Sequence, residues 1–399
     1  MGVWMRLFFS AAVATACFFL AAVSGFAENT ETVVYRFKNV PDGSSPGSNL
    51  IDVGGTLYGT TGMGGAHNAG TVFSVTTAGV EKVIYSFAGG SDGATPAGGL
   101  VEINGTLYGA TAYGGGSGCS GKGCGTVYSV TTAGVEKVLY SFAGNTDGAN
   151  PFSSPVAIGN TLYGTTLYGG DDVCATTGCG TLYSVTTKGH EQVLHTFHVH
   201  TIDSGDGVFP MGSLVVVGNM LYGTTDLGGA NNDGAVFSAT RTGAEQVVYS
   251  FAGGSDGTNP QAGLIEVDNR LYGTTSAGGG SGCYSQGCGT VFSVTRTGVE
   301  KVLHSFVGGN DGSGPTASLV DVGGALYGTT QYGGRGDCFC GTVFTLTTTG
   351  HEKVLFSFNA TKSGALPLNS LVDVGGLLYG TASEGGAKYD NGLVFSMTP

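Results

Sequence analysis

Charge is scarce in this 399-residue chain. Only 11% of residues are Asp, Glu, Lys or Arg, with 28 acidic against 15 basic side chains and a formal charge of −13. An acidic surface repels nucleic acid and anionic lipid, so neither is expected as a partner. Tryptophan is reduced to Trp4. Helical periodicity is missing after the first 27 residues, so helices are not expected there. No Gly-x-Ser-x-Gly elbow, no His-Glu-x-x-His and no phosphate loop is read, and no cofactor is expected. The 76 glycines follow no three-residue period, which excludes collagen, and a 41% hydrophobic content excludes wholesale disorder.

The one long apolar run is N-terminal. Arg6 precedes Leu7 to Val23, and Gly25-Phe26-Ala27 supplies small residues for cleavage. Residues 1–27 are therefore expected to be a signal peptide removed after Ala27, with an uncleaved anchor helix as the alternative. Cys17 lies inside the run and makes a poor lipidation site, since Ala14-Thr15-Ala16 lacks the usual large aliphatic residue. The mature chain, residues 28–399, is expected to be secreted or periplasmic, monomeric and off the membrane.

What is abundant is repetition. Leu-Tyr-Gly occurs seven times, starting at Leu57, Leu107, Leu162, Leu221, Leu271, Leu326 and Leu378, at spacings of 50 to 59 residues. Each triplet precedes a Gly-x-Val-Phe-like segment, such as Gly70 to Phe73, and a Val-x-Tyr-Ser-Phe-like segment, such as Val83–Phe87. One unit reads as four short strands: A over Leu100–Ile103, B over Thr106–Thr111, C over Gly125–Thr131 and D over Glu136–Phe142. Tight turns join A to B and C to D, and a glycine-rich loop joins B to C. An Asp-Gly-x-x-Pro turn, Asp92 to Pro96 for example, leads from D to the next A.

Seven such units imply an all-β, seven-bladed β-propeller of four-stranded antiparallel blades. Phase supports a closed ring. The chain opens on a lone D segment, Val33–Phe37, and ends on a C segment, Gly392–Met397, that lacks its own D. The first strand is expected to complete the last blade, leaving no open edge. An open β-solenoid is the rival, and it predicts caps that are not visible.

The ordered set Leu-Tyr-Gly-Thr-Thr, Gly-Gly, Gly-Thr-Val-Phe-Ser, Tyr-Ser-Phe and Asp-Gly-x-x-Pro resembles the GloVer tandem-repeat family of bacterial exported proteins, from about residue 31 to 399. The resemblance implies an exported repeat protein and carries no activity with it. Some members carry C-terminal anchors; this chain stops at Pro399, directly after its last unit, so free secretion or periplasmic residence is expected.

The B–C loops vary in length and share a face with the D–A crossings, which makes that face the expected site of binding. Three loops carry C-x₄-C pairs, Cys119/Cys124, Cys174/Cys179 and Cys283/Cys288, and a fourth carries Cys338/Cys340. Disulfides are expected over shared zinc in an oxidising compartment, with Cys338/Cys340 the most strained pair. Tyr113, Tyr168 and Tyr332 precede the glycine pair in three loops and are ligand-stacking candidates, with packing between blades as the alternative. His195, His198 and His200, read as part of blade four, precede Asp203 and Asp206. His198, His200, Asp203 and Asp206 are weak metal candidates, while His195, replacing a tyrosine, is expected to pack. The turn aspartates are expected to form Asx turns rather than calcium loops. Asp52, Glu102, Glu266, Asp321 and Asp373 on strand A are expected near one mouth of the central channel, simply solvated there, with a cation-holding ring as the alternative, and Glu81-Lys82 or Glu136-Lys137 as solvated starts of strand D.

The function expected is a non-enzymatic binding module whose stapled loops take a carbohydrate or an extracellular protein. The alternatives are a structural repeat protein without a ligand and, further off, a lyase or glycoside hydrolase acting at the channel.

Overall fold

The computed structural model describes residues 31–399 apart from 171–173, 175–176, 199–204, 284, 337 and 387–389. The expected signal segment, Cys17, His200 and Asp203 lie outside the described residues.

Seven four-stranded antiparallel blades form a ring. In blade one, strand A is Ile51–Val53, B is Thr56–Met63, C is Thr71–Thr76 and D is Glu81–Ser86. The same order recurs through blade seven, where A is Val372–Val374, B is Leu377–Ala382 and C is Leu393–Met397. Its fourth strand comes from the other end of the chain. Thr32–Arg36 pairs antiparallel with Leu393–Met397, with Thr32 opposite Ser396 and Val33 opposite Phe395. Phe37 N–H donates to the Gly392 carbonyl at 3.0 Å just beyond. The ring is closed as the phase of the repeats predicts.

Two repeat motifs meet between blades. The phenylalanine ending each strand D lies edge-on to the aromatic residue of strand C in the following blade. Phe37–Phe73, Phe87–Tyr128, Phe142–Tyr183, Phe197–Phe237, Phe251–Phe292, Phe306–Phe344 and Phe358–Phe395 have ring centroids 4.9–5.1 Å apart. Such pairs contribute about 0.5–1.5 kcal/mol beyond the area they bury. The glycine of Leu-Tyr-Gly makes room for them: a Cβ on Gly59 would lie 2.8 Å from Phe73 Cζ. The turn proline joins blades in the same way. Pro96 Cδ would be 2.6 Å from a Cβ on Gly70, whose φ of +93° already favours glycine.

The strand A approaches surround the channel. Asn49, Gly99, Ser154, Ser213, Gly263, Ser318 and Ser370, one from each blade, line a constriction with about 130 Å³ of space. Gly99 N–H donates to Ser154 Oγ at 2.6 Å and Ser154 N–H to Ser213 Oγ at 3.1 Å, tying neighbouring blades together.

Candidate functional site

The crossings and the B–C loops do share a face. Short antiparallel bridges join them: Ala94 opposite Tyr113, Ala149 opposite Tyr168 and Ser313 opposite Tyr332. All four cysteine pairs in these loops are disulfides: Cys119–Cys124, Cys174–Cys179, Cys283–Cys288 and Cys338–Cys340. Two of them rest directly on the crossing: a Cβ on Gly144 would lie 3.1 Å from Cys124 Sγ, and one on Gly308 would lie 3.2 Å from Cys283 Sγ. The stapled loop, the crossing and the next blade's loop thus enclose a cleft.

The Cys174–Cys179 staple is the most deeply set of the four. Cys179 is fully buried and shares one apolar cluster with Cys174, Leu182, Phe197 and Leu221. The reason is its place in the chain. Cys179 stands directly before Gly180, which leads into strand C, Thr181–Thr186, and its carbonyl accepts from Phe209 N–H of the next crossing at 2.9 Å. This disulfide is therefore a packing element between blades three and four. Cys124, Cys288 and Cys340 are buried at the equivalent position, and in those three pairs the first cysteine is the more exposed.

One cleft, of about 510 Å³, has Gly118 to Ser120 on one wall and Tyr168 with Gly169 on the other. A second, of about 250 Å³, runs from Cys283 and Cys288 to Gln331 and Tyr332. Tyr332 is 47% exposed. Tyr168 is half-buried and lies edge-on to Phe209 of the next crossing at 5.8 Å, so it packs between blades while also lining its cleft. Tyr113 lies below the Lys122 ammonium, which is 5.6 Å from the ring centre.

The turn aspartates hold the crossing. Their bonds run backward along the chain, a geometry different from the forward Asx turn. Asp92 accepts from Ala88 N–H at 2.6 Å and from the Tyr85 hydroxyl at 2.8 Å. Asp147 repeats this with Ala143 and Tyr140, Asp256 with Ala252 and Tyr249, and Asp42 with Lys38 and Tyr35. In the seventh crossing Ser363 Oγ takes the bond from Asn359 N–H at 2.8 Å, and there the tyrosine position is Phe356, so donor and acceptor are lost together. Contrary to the sequence reading, Gly-Gly-Ser-Asp-Gly at 89–93 and at 253–257 does carry the Gly-x-Ser-x-Gly pattern, but it forms the 3-10 turn of a crossing and no strand-to-helix elbow, with Ser91 and Ser255 exposed.

The glutamate that opens each strand D is not a solvated residue. The lysine or glutamine after it is exposed, while the glutamate is half-buried against the preceding crossing. Burial, the first cause, pushes Glu81, Glu136, Glu191, Glu245, Glu300 and Glu352 up to about 7, and the nearby turn aspartate pushes in the same direction. Burial also raises Glu31 to about 7, against the pull of Arg36. Six blade interfaces therefore carry one pattern: an aromatic on strand D, a turn aspartate and a glutamate from the next blade.

At two of the six the aromatic is histidine. His195, which lies on strand D of blade three rather than in blade four, joins Asp206 and Glu245. His304 joins Asp311 and Glu352 in the same positions two blades on. Of the metal candidates read from the sequence, Asp206 belongs to such a cluster. His198 contributes its backbone N–H, which donates to Asp206 at 3.0 Å. The second cluster was missed. Its signal was His304 standing in the same repeat column as His195, where the other D strands carry tyrosine or phenylalanine.

The acidic residues of strand A cap their own A–B turns. Asp52 accepts from Gly55 N–H at 2.8 Å, Glu266 from Asn269 at 2.8 Å, Asp321 from Gly324 at 3.1 Å and Asp373 from Gly376 at 3.0 Å, and Glu102 takes the same bond from Gly105. All five are exposed, and none lines the constriction.

Several solved structures that resemble this one are enzymes. A puromycin hydrolase aligns with TM-score 0.52 and 11% identity over 88% of this chain and 52% of its own. A luciferin-regenerating enzyme aligns with TM-score 0.46 and 10% identity over 91% and 94%. The GH93 α-L-arabinofuranosidase of Fusarium graminearum aligns with TM-score 0.42 and 13% identity over 93% and 96%. The chain spans about half the length of the puromycin hydrolase, and identities this low speak for the fold alone. No curated protein matches the sequence. The Gloeobacter/Verrucomicrobia repeat matches residues 22–177, 117–286 and 281–399. With that repeat running the length of a seven-bladed ring, the chain belongs to the Gloeobacter/Verrucomicrobia repeat family.

Proposed function

We propose that the chain is an exported, non-enzymatic binding module that takes carbohydrate in the clefts between stapled loops. The observation that carries this is the pairing of a disulfide wall with a tyrosine wall, Cys119 against Tyr168 and Cys283 against Tyr332. A ring face stacks on a sugar's apolar face, and surrounding Gly, Ser and Gln groups can bond its hydroxyls. Four disulfides suit an oxidising, extracellular setting. No helix among the described residues is long and apolar enough to cross a membrane. A catalytic site at the channel has less support, since the constriction is lined without a titratable side chain.

A glycan array on the purified protein tests the proposal. Tyr332→Ala and Tyr168→Ala should each weaken the retained glycan about tenfold, the cost of truncating one anchoring aromatic. Tyr113→Ala should change little, because its ring lines neither cleft. An array without ligands, or ligands indifferent to both substitutions, would contradict the proposal. Capture of an extracellular protein by the same clefts would redirect it.

A further inference from the structure

The geometry points to two zinc sites at blade interfaces, one formed by His195, Asp206 and Glu245 and the other by His304, Asp311 and Glu352. In each set the imidazole nitrogen and the two carboxylate oxygens lie within 4.8 Å of one another. The sites are separate from the loop clefts and do not depend on the carbohydrate reading.

The argument comes from comparing interfaces within one molecule. Where strand D carries tyrosine, the phenol reaches its turn aspartate and closes the interface with a hydrogen bond, at 2.6–2.8 Å for Tyr85, Tyr140 and Tyr249. Histidine is shorter and stops short of that contact. His195 Nε2 is 3.4 Å from Asp206 Oδ2, and His304 Nε2 is 3.4 Å from Asp311 Oδ1. That gap is long for a hydrogen bond. It matches the roughly 3.3 Å edge of a tetrahedron built on metal–ligand bonds of about 2.0–2.1 Å.

The atoms facing the gap are left over. His195 Nε2, Asp206 Oδ1 and His304 Nε2 are shielded from solvent without a hydrogen-bond partner, and they are what sets these interfaces apart, since Glu245 Oε1 and Glu352 Oε1 share that condition with the matching glutamate oxygen at the tyrosine interfaces. The Asp206 side chain is nine-tenths buried, with 10% exposure. Shielded polar atoms without partners are costly, and a dication would satisfy all three at once. Asp206 Oδ2, the oxygen 3.4 Å from His195 Nε2, also accepts from the His198 N–H, which orients the carboxylate and leaves Oδ1 without a partner. A neutral imidazole with two carboxylates is a donor set that suits zinc and leaves a fourth position for water.

The repeat also supplies the control. His195→Tyr and His304→Tyr install the residue that four other interfaces already use, so both variants should fold. The experiment titrates zinc into chelator-stripped, tag-free protein and measures bound metal after gel filtration. Two equivalents are expected in the parent, one in each single variant and none in the double variant. Cobalt(II) should give visible d–d absorption of a low-symmetry four-coordinate site, lost in the same steps. Failure to retain zinc, or retention unchanged in the double variant, would overturn the inference. Loss of carbohydrate binding without loss of zinc would bear only on the clefts.

Discussion

Removing residues 31–38 should unlatch the ring and cost more than any single internal substitution. The strand supplies the outer edge of blade seven, and its end supplies Phe37, which is 1% exposed and packs with Leu50, Leu57, Phe73, Val75, Tyr379 and Val394. Phe37→Ala alone should destabilise by about 3–5 kcal/mol, the usual loss for a buried phenylalanine. Phe251→Ala, at the equivalent internal interface, should cost a similar amount, because the two rings sit in matching edge-on pairs. The deletion should go beyond both. It also exposes the backbone edge of Leu393–Met397, which invites association between chains. Denaturant titrations should show a large loss of midpoint, and light scattering should show oligomers. A truncated chain as stable as the parent, with Phe37→Ala still costly, would mean that closure contributes little.

Acidification should stabilise the ring between about pH 8 and pH 5. Glu136 faces Asp92, Tyr85 and the buried Tyr128, and Glu191 faces Asp147, Tyr140 and the buried Tyr183. Both glutamates titrate near 7 in the folded chain against an ordinary 4.5. The folded form therefore holds protons that the unfolded chain has released. Stability from that source is full below the ordinary value and is lost as pH rises through about 7. Half-exposed carboxyls feel solvent screening, so the effect is on the order of 1 kcal/mol per interface rather than the full shift. Melting temperature in chelator-containing buffer should fall from pH 5 to pH 8. Glu136→Gln/Glu191→Gln should flatten that slope, since an amide mimics the protonated form. A slope unchanged in the double variant would place the titration elsewhere.

Fold and closure were legible because the same motif order recurs seven times and its phase is offset at the two ends. The disulfides were legible because three pairs share one spacing inside the B–C loops. How deeply Cys179 sits was not, since the spacing says nothing about which half of a pair enters the core. The glutamate of strand D was hidden too, because Glu-Lys at the start of a strand looks like surface. Strand alternation places Lys82 outward and Glu81 inward, and nothing local says which neighbour receives it. The partner is the preceding crossing, where Asp42 raises Glu81, 39 residues back in the chain. The internal repeat did hold a clue: glutamate opens all seven D segments, while the following residue varies among threonine, lysine and glutamine. The strand A acids are solvated, as expected, but their hydrogen bonds were not foreseen. Their carboxylates are consumed by N–H groups three residues away, a local bond that a channel-lining reading overlooks.

Ring closure can be read directly from a cross-link. Thr32 and Ser396 face each other in register across the first and last strands. In a Thr32→Cys/Ser396→Cys variant, the new cysteines should oxidise within one chain, and a non-reducing peptide map should recover them joined in monomeric protein. The same variant should melt higher than its reduced form. Free thiols at both positions, or a bond found only between chains, would contradict a propeller sealed by its own N-terminal strand.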